Sequence, residues 1–282
     1  MKKGINIWSF PDQPLVKSFA LAKDAGFDGV EVGLLAEGEV SLKSTEKQLL
    51  KVKEDAKSNG IELYSIATGL YWDHWLTADD PAERQTAKEI VKKHLEVAKL
   101  LGCNTILVVP GSVHAEFAAP GKVVDYESAY QRSLEALTEL KESAEALKVN
   151  IGIENVWNQF LTSPLEMRSF IDQINSPFVG SYFDVGNVLA NGHPEHWIKI
   201  LGSRIKKVHF KDYRIAAGGL HGFVDLLAGD VDYPAVIKAL EQIGYDDWVS
   251  AEMIPNYKYH TEAIIYNTSL AMDKILGRST SC

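Results

Sequence analysis

The sequence predicts a single α/β domain, a (β/α)8 or TIM barrel spanning residues 1–282, on three observations. Short β-branched runs alternate eight times with segments of helical periodicity. Strands separated by helices imply parallel pairing and right-handed crossovers. The length of 282 residues, with no break in composition, suits one barrel of about 250 residues. A doubly wound open sheet is the alternative, but GINIWSFPD carries no GxGxxG fingerprint after the first strand.

The elements follow in order. GINIW (4–8) is the first strand, and Leu15, Phe19, Ala22 and Ala25 mark the apolar face of a helix closing at Gly26. FDGVEVG (27–33) is the second strand, and Thr45 with Gln48 three residues on forms a capping box for a helix ending at Gly60. IELYSIA (61–67) is the third strand; after an aromatic-rich loop, Asp80-Pro81 opens a helix to Gly102. NTILVVP (104–110) is the fourth strand, with a helix from about 126 to 148 after its loop. IGIE (151–154) is the fifth, and Ser163-Pro164 starts a helix ending near Asn175. FVGSYFD (178–184) is the sixth strand and Pro194 begins a short helix. RIKKVHF (204–210) is the seventh, followed by a glycine-rich loop over 215–231 and a helix capped by Asp232. DWVSAE (247–252) is the eighth strand, and a last helix covers about 259 to 276.

Composition excludes several classes. A formal charge of −9 and the lack of a dense basic run argue against nucleic acid as partner. With only Cys103 and Cys282, no disulfide framework is expected, and Cys103 reads as a small residue at a helix-to-strand junction. MKKGINIW is no signal peptide and no apolar run approaches the roughly 20 residues of a membrane span, so a soluble, cytoplasmic protein is expected. The acidic surface and long loops permit a homodimer or homotetramer.

Barrel enzymes carry their sites at the C-terminal ends of the strands. Strands five to eight each deliver a metal-competent side chain there: Glu154, Asp184, His209 and Glu252. A charge at the end of a buried strand costs several kcal/mol unless paired. Singly, each has a plain structural reading: His209 as a hydrogen-bonded core histidine, Asp184 as an N-cap, Glu252 as a partner of Lys211. Together, three carboxylates and an imidazole suit one divalent ion, Mn²⁺, Mg²⁺ or Co²⁺ foremost and Zn²⁺ also.

The motifs IGIEN, YFDVGN, KVHFKD and VSAEM, in this order, resemble the xylose isomerase-like TIM barrels, in particular the sugar and sugar-phosphate isomerase/epimerase group. The resemblance implies that Glu154, Asp184, His209 and Glu252 hold one divalent cation and that the two glutamates double as acid and base. It implies a sugar or sugar phosphate as partner and an enediolate route for epimerisation or aldose–ketose isomerisation. A dehydratase of an inositol-type ketone and a non-catalytic sugar-binding barrel are the alternatives. Many ketose 3-epimerases of the group have a histidine where this chain has Asn187; DVGN looks more like the sugar-phosphate members, which favours a phosphorylated ketose.

Further substrate contacts are expected from Asn187, from Lys211 and Arg214 (a phosphate or distal hydroxyl, or an ion pair with Asp212 or Glu252), from Trp157 and Trp72 as pocket walls or packing, and from His114. AAGGLHG (216–222) reads as a lid or as an anion nest. Asn155 is expected to hydrogen-bond loop backbone beside the site.

Overall fold

The computed structural model describes residues 1–279 apart from Pro255. Cys282 lies outside the described residues. The strands are β1 (Lys2–Asn6), β2 (Gly29–Gly33), β3 (Glu62–Ala67), β4 (Thr105–Val108), β5 (Asn150–Glu154), β6 (Val179–Asp184), β7 (Ile205–Phe210), a two-stranded ribbon of β8 (Asp212–Tyr213) and β9 (Phe223–Val224), and β10 (Trp248–Ala251). All but the ribbon close into one barrel in the order β1-β10-β7-β6-β5-β4-β3-β2, every pair parallel. The helices are α1 (Leu15–Asp24), α2 (Glu46–Ser58), α3 (Pro81–Leu101), α4 (Tyr126–Leu147), α5 (Pro164–Ile174), α6 (Val185–Val188), α7 (Pro194–Leu201), α8 (Tyr233–Gln242) and α9 (Ala263–Ile275).

Local chemistry sets most helix ends. Thr45 and Gln48 form the reciprocal capping box of α2. Asp80, Asp125, Ser163 and Asp232 each accept a backbone N–H at the start of α3, α4, α5 and α8. Gly102 ends α3 in the left-handed region at φ 86°, where a Cβ would be strained.

Among the differences from the sequence reading, four have a visible reason. β1 starts at Lys2, paired with Trp248, and stops at Asn6 because the Asn6 side chain accepts the Trp8 N–H and turns the chain into a 3-10 turn. β4 ends at Val108, ahead of Pro110, which has no N–H to donate. A short helix, α6, follows β6 directly, capped by Asp184. α9 starts at Ala263 rather than near 259, since His260 sits at φ 52°. The glycine-rich stretch also holds β9, which folds back on β8.

Inside the barrel, side chains on alternate residues share the inner face. Small and large residues complement each other across it: Gly4 lies against Tyr64, Gly152 against Tyr182, and Gly29 against Trp248. Tyr64 stacks on Trp248 at 3.9 Å between ring centroids and its hydroxyl hydrogen-bonds Ser250 at 2.6 Å. This aromatic floor fills the lower barrel and leaves the ends of β5, β6, β7 and β10 to carry polar groups. Gly4→Ala would set a methyl on the Tyr64 hydroxyl and displace that floor. Urea unfolding should show a loss of about 1–3 kcal/mol; an unchanged midpoint would show that the floor adapts freely.

Candidate active site

Glu154 and Asp184 are the last residues of β5 and β6, His209 is the penultimate residue of β7, and Glu252 follows β10 directly. Asp184 pairs with His209 across the β6–β7 ladder, and Ser250 with His209 across β7–β10. The Glu252 N–H continues that ladder by donating to the Phe210 carbonyl at 3.1 Å. With these registers, one ligand atom from each of the four residues lies within 4.8 Å of every other, all of them buried. His209 Nδ1 stands 3.8 Å from Glu154 Oε1, 3.8 Å from Asp184 Oδ2 and 3.5 Å from Glu252 Oε2.

Each plain reading of these residues also holds, and those of Asp184 and His209 leave a second atom facing the cluster. Asp184 Oδ1 caps α6 by accepting the Asn187 N–H at 2.8 Å, while Oδ2 turns inward. His209 is a hydrogen-bonded core histidine through Nε2, 2.7 Å from Glu31 Oε1, while Nδ1 faces the carboxylates. Glu252 does pair with Lys211, whose ammonium also lies 3.2 Å from Asp184 Oδ2. Three buried atoms aim into the cluster: His209 Nδ1 forms no hydrogen bond, and Asp184 Oδ2 and Glu252 Oε2 have the Lys211 ammonium as their counter-charge but no well-aligned hydrogen bond. Buried polar atoms without hydrogen bonds are rare, and a hard cation is what such a donor set would satisfy. The residues fit a divalent ion.

Glu31 escaped the sequence reading. It is fully buried inside the barrel beneath His209 and also accepts from Asn6 Nδ2 at 2.5 Å and from the Tyr182 hydroxyl. The signal was present, a carboxylate in the middle of GVEVG, which had to find partners to be buried. By accepting at Nε2, Glu31 directs the imidazole so that Nδ1 is the free ligand atom.

The cluster is electrostatically strained. Burial first, then the Glu252 charge, pushes Glu154 up to about 7. Burial raises Asp184 as well. Burial also opposes the Glu252 carboxylate, yet Lys211 and His209 overcome it and hold Glu252 well below the usual carboxylate range. His209 is likewise raised against its burial by Glu31 and Glu252, so a cation at Nδ1 competes with a proton there.

The other expected contacts divide by position. Lys211 belongs to the cluster, with its ammonium 5.5 Å from the Phe223 ring centre. Asn187 and Asn155 link the ends of β5 and β6: Asn155 exchanges two hydrogen bonds with the Asp184 backbone at 2.8 and 2.9 Å, and Asn187 Nδ2 donates to the Asn155 carbonyl at 3.0 Å. Trp157 donates to the Asn187 carbonyl at 3.0 Å. Asn155, Trp157, Asn187 and His114 line a cavity of about 620 Å³ beside the cluster, while Trp72 packs edge-on against its wall residue Phe117. A smaller cavity of about 240 Å³ opens onto Lys211 and Glu252. Arg214 is exposed and turned to the Ala228 carbonyl at 2.6 Å, lining neither of these cavities.

Comparison with known proteins agrees with this architecture. The family model described as xylose isomerase-like TIM barrel matches residues 19–269. An Escherichia coli K12 protein provisionally assigned as an L-ribulose-5-phosphate 3-epimerase is 28% identical over 240 residues, covering 80% of this chain and 78% of its own. A 2-oxo-tetronate isomerase of Pectobacterium atrosepticum is 24% identical over 88% of this chain and 90% of its own. Among solved structures, a D-psicose 3-epimerase crystallised in the presence of D-fructose superposes with a TM-score of 0.79 at 20% identity, covering 98% of this chain and 100% of that one. The IOLI protein, solved with a zinc atom, superposes with a TM-score of 0.80 at 20% identity over 100% of both chains.

Two outcomes test the site as a cation nest. Glu31→Gln should weaken Mn²⁺ binding by roughly 10–100-fold by calorimetry, because the imidazole loses the acceptor that orients it; unchanged affinity would remove Glu31 from that role. With Glu154 protonated below about 7 and the His209 pKa raised in the same direction, protons compete with the cation, and Mn²⁺ affinity should rise with pH through neutrality, with proton release seen as a dependence on buffer ionisation enthalpy. A flat profile from pH 6 to 8 would contradict the assignment.

Proposed function

The chain belongs to the xylose isomerase-like TIM barrel family, and we propose that it is a divalent-metal-dependent isomerase or epimerase acting on a ketose or ketose phosphate through an enediolate. The observation that carries this reading is the convergence of four buried strand-end side chains whose ligand atoms lie within 4.8 Å of one another. The kinship with a 3-epimerase and a 2-oxo-tetronate isomerase supports the reaction class.

Glu154, Asp184, His209 and Glu252 would hold the ion, Mn²⁺, Mg²⁺ or Co²⁺ being the best matches to this donor set and Zn²⁺ also compatible. When bound, such an ion supplies Lewis acidity toward a carbonyl and its neighbouring hydroxyl. The remaining work falls to the protein. β5 and β10 are separated in the barrel by β6 and β7, so Glu154 and Glu252 approach a substrate from different sides. One removes the proton alpha to the carbonyl and the other returns a proton to the opposite face, which is epimerisation; return to the adjacent carbon is isomerisation. Lys211, already ion-paired with Glu252, is placed to donate to a developing oxyanion.

Incubation of the Mn²⁺-loaded protein with a panel of ketoses and their phosphates in D₂O should place deuterium alpha to the carbonyl. Label at C3 identifies an epimerase, and label at C1 or C2 an isomerase. Loss of water with a new ultraviolet chromophore would replace this reading with a dehydratase, and ligand binding unaffected by chelation with no label would replace it with a sugar-binding barrel. Glu154→Gln and Glu252→Gln should each lower kcat by about 10²–10⁴ while the far-ultraviolet dichroism stays unchanged.

A further inference from the structure

The 620 Å³ cavity beside the cluster carries information about the far end of the substrate. It adjoins the four ligand residues through Asn155, next to Glu154, and Asn187, whose N–H rests on Asp184. Its wall is built mainly from Phe117, Trp157, Phe160, Val188, Trp197 and Leu220. None of its lining residues is lysine or arginine, and one, Glu116, is a carboxylate.

Three cations of the neighbouring loops and strand ends are committed elsewhere. Lys211 is held between Asp184 and Glu252. Lys122 pairs with Glu83 at 2.7 Å and lies over the Trp75 ring. Arg214 faces the Ala228 carbonyl. The N-termini of α6 and α8 are filled by the chain's own carboxylates, Asp184 and Asp232. A phosphate is held most strongly by cationic side chains; no lysine or arginine lines this cavity, and its mainly apolar wall carries the Glu116 carboxylate. The volume is roughly that of twenty water molecules at about 30 Å³ each, in the range of pockets for ligands larger than one sugar ring.

Resting on the reading of the protein as a ketose isomerase or epimerase, we propose that its substrate is an uncharged ketose derivative whose end distal to the reacting carbons carries an apolar or ring substituent rather than a phosphate. The reacting end lies at the cluster, with Lys211 and Glu252 on its polar side. The substituent lies against Trp157 and Leu220. The resemblance of DVGN to sugar-phosphate enzymes concerns the cluster's immediate neighbours, whereas the distal group is selected by the cavity wall.

The test pairs binding with turnover. For each ketohexose of a stereochemical panel, the free sugar, its 6-phosphate and its 6-O-benzyl ether are compared by calorimetry and by deuterium incorporation with the Mn²⁺-loaded protein. For at least one sugar the benzyl ether should bind and exchange roughly tenfold better than the other two, the gain expected from burying a ring against an apolar wall. Leu220→Arg should reverse the order in favour of the phosphate. A wild-type preference for the 6-phosphate or the free sugar would overturn the proposal while leaving the proposed reaction class standing. Preferential binding of the ether without exchange of any compound would support the proposal on substrate shape and overturn the reaction class. Neither binding nor exchange of the ether would overturn the proposal itself.

Discussion

One hydrogen bond, from the imidazole of His209 to the carboxylate of Glu31, organises the upper barrel. It spans 178 residues of sequence and joins the second strand to the seventh across the barrel interior. Glu31 also gathers Asn6 from β1 and Tyr182 from β6, so four strands meet at one buried carboxylate. Such a charge is costly in a protein interior unless it is fully hydrogen-bonded and paired. Burial works against the Glu31 carboxylate, and His209 with Tyr182 and Ser65 outweighs it, leaving its pKa below the usual value.

Above this anchor, the arrangement is one of managed repulsion. Three carboxylates converge on Nδ1 of one imidazole, and Lys211 brings a counter-charge between Asp184 and Glu252. A group of this kind is a poor contributor to stability, since desolvation of the charges offsets their attraction. The aromatic floor of Tyr64 and Trp248 and the packed helices around the barrel supply the burial that lets such a site persist. Asn155 and Asn187 hold the ends of β5 and β6 at fixed spacing, so the acidic side chains have little freedom to separate.

What could be read from the chain followed the range of the interactions. Helix starts at Thr45, Asp80, Ser163 and Asp232 were legible because a cap is decided within three or four residues. The four strand-end residues were legible because each stands at the close of an apolar run, where alternation points it inward. Glu31 was not, because its meaning depends on His209 far along the chain. The helix α6 is hidden because Asp184, although it reads as an N-cap, opens a helix of only four residues, VGNV, too short to show a helical period. The ribbon of β8 and β9 was hidden in a glycine-rich stretch whose pairing is set by tertiary contacts, among them Tyr213 and Trp157 around Phe223.

The residues that converge on the cluster and those that wall the large cavity have different origins in the fold. Glu31, Glu154, Asp184 and His209 stand on barrel strands and Glu252 follows one, whereas Phe117, Trp157, Phe160 and Leu220 stand on the connections beyond them. Connections tolerate insertion and exchange far better than strands locked in register. The division makes the molecule modular: its wall can be rewritten, segment by segment, without disturbing the acidic nest. A chimera that keeps Asn155 and takes its 111–124 and 156–162 segments from another barrel of this architecture would inherit new recognition on the same four strand-end residues.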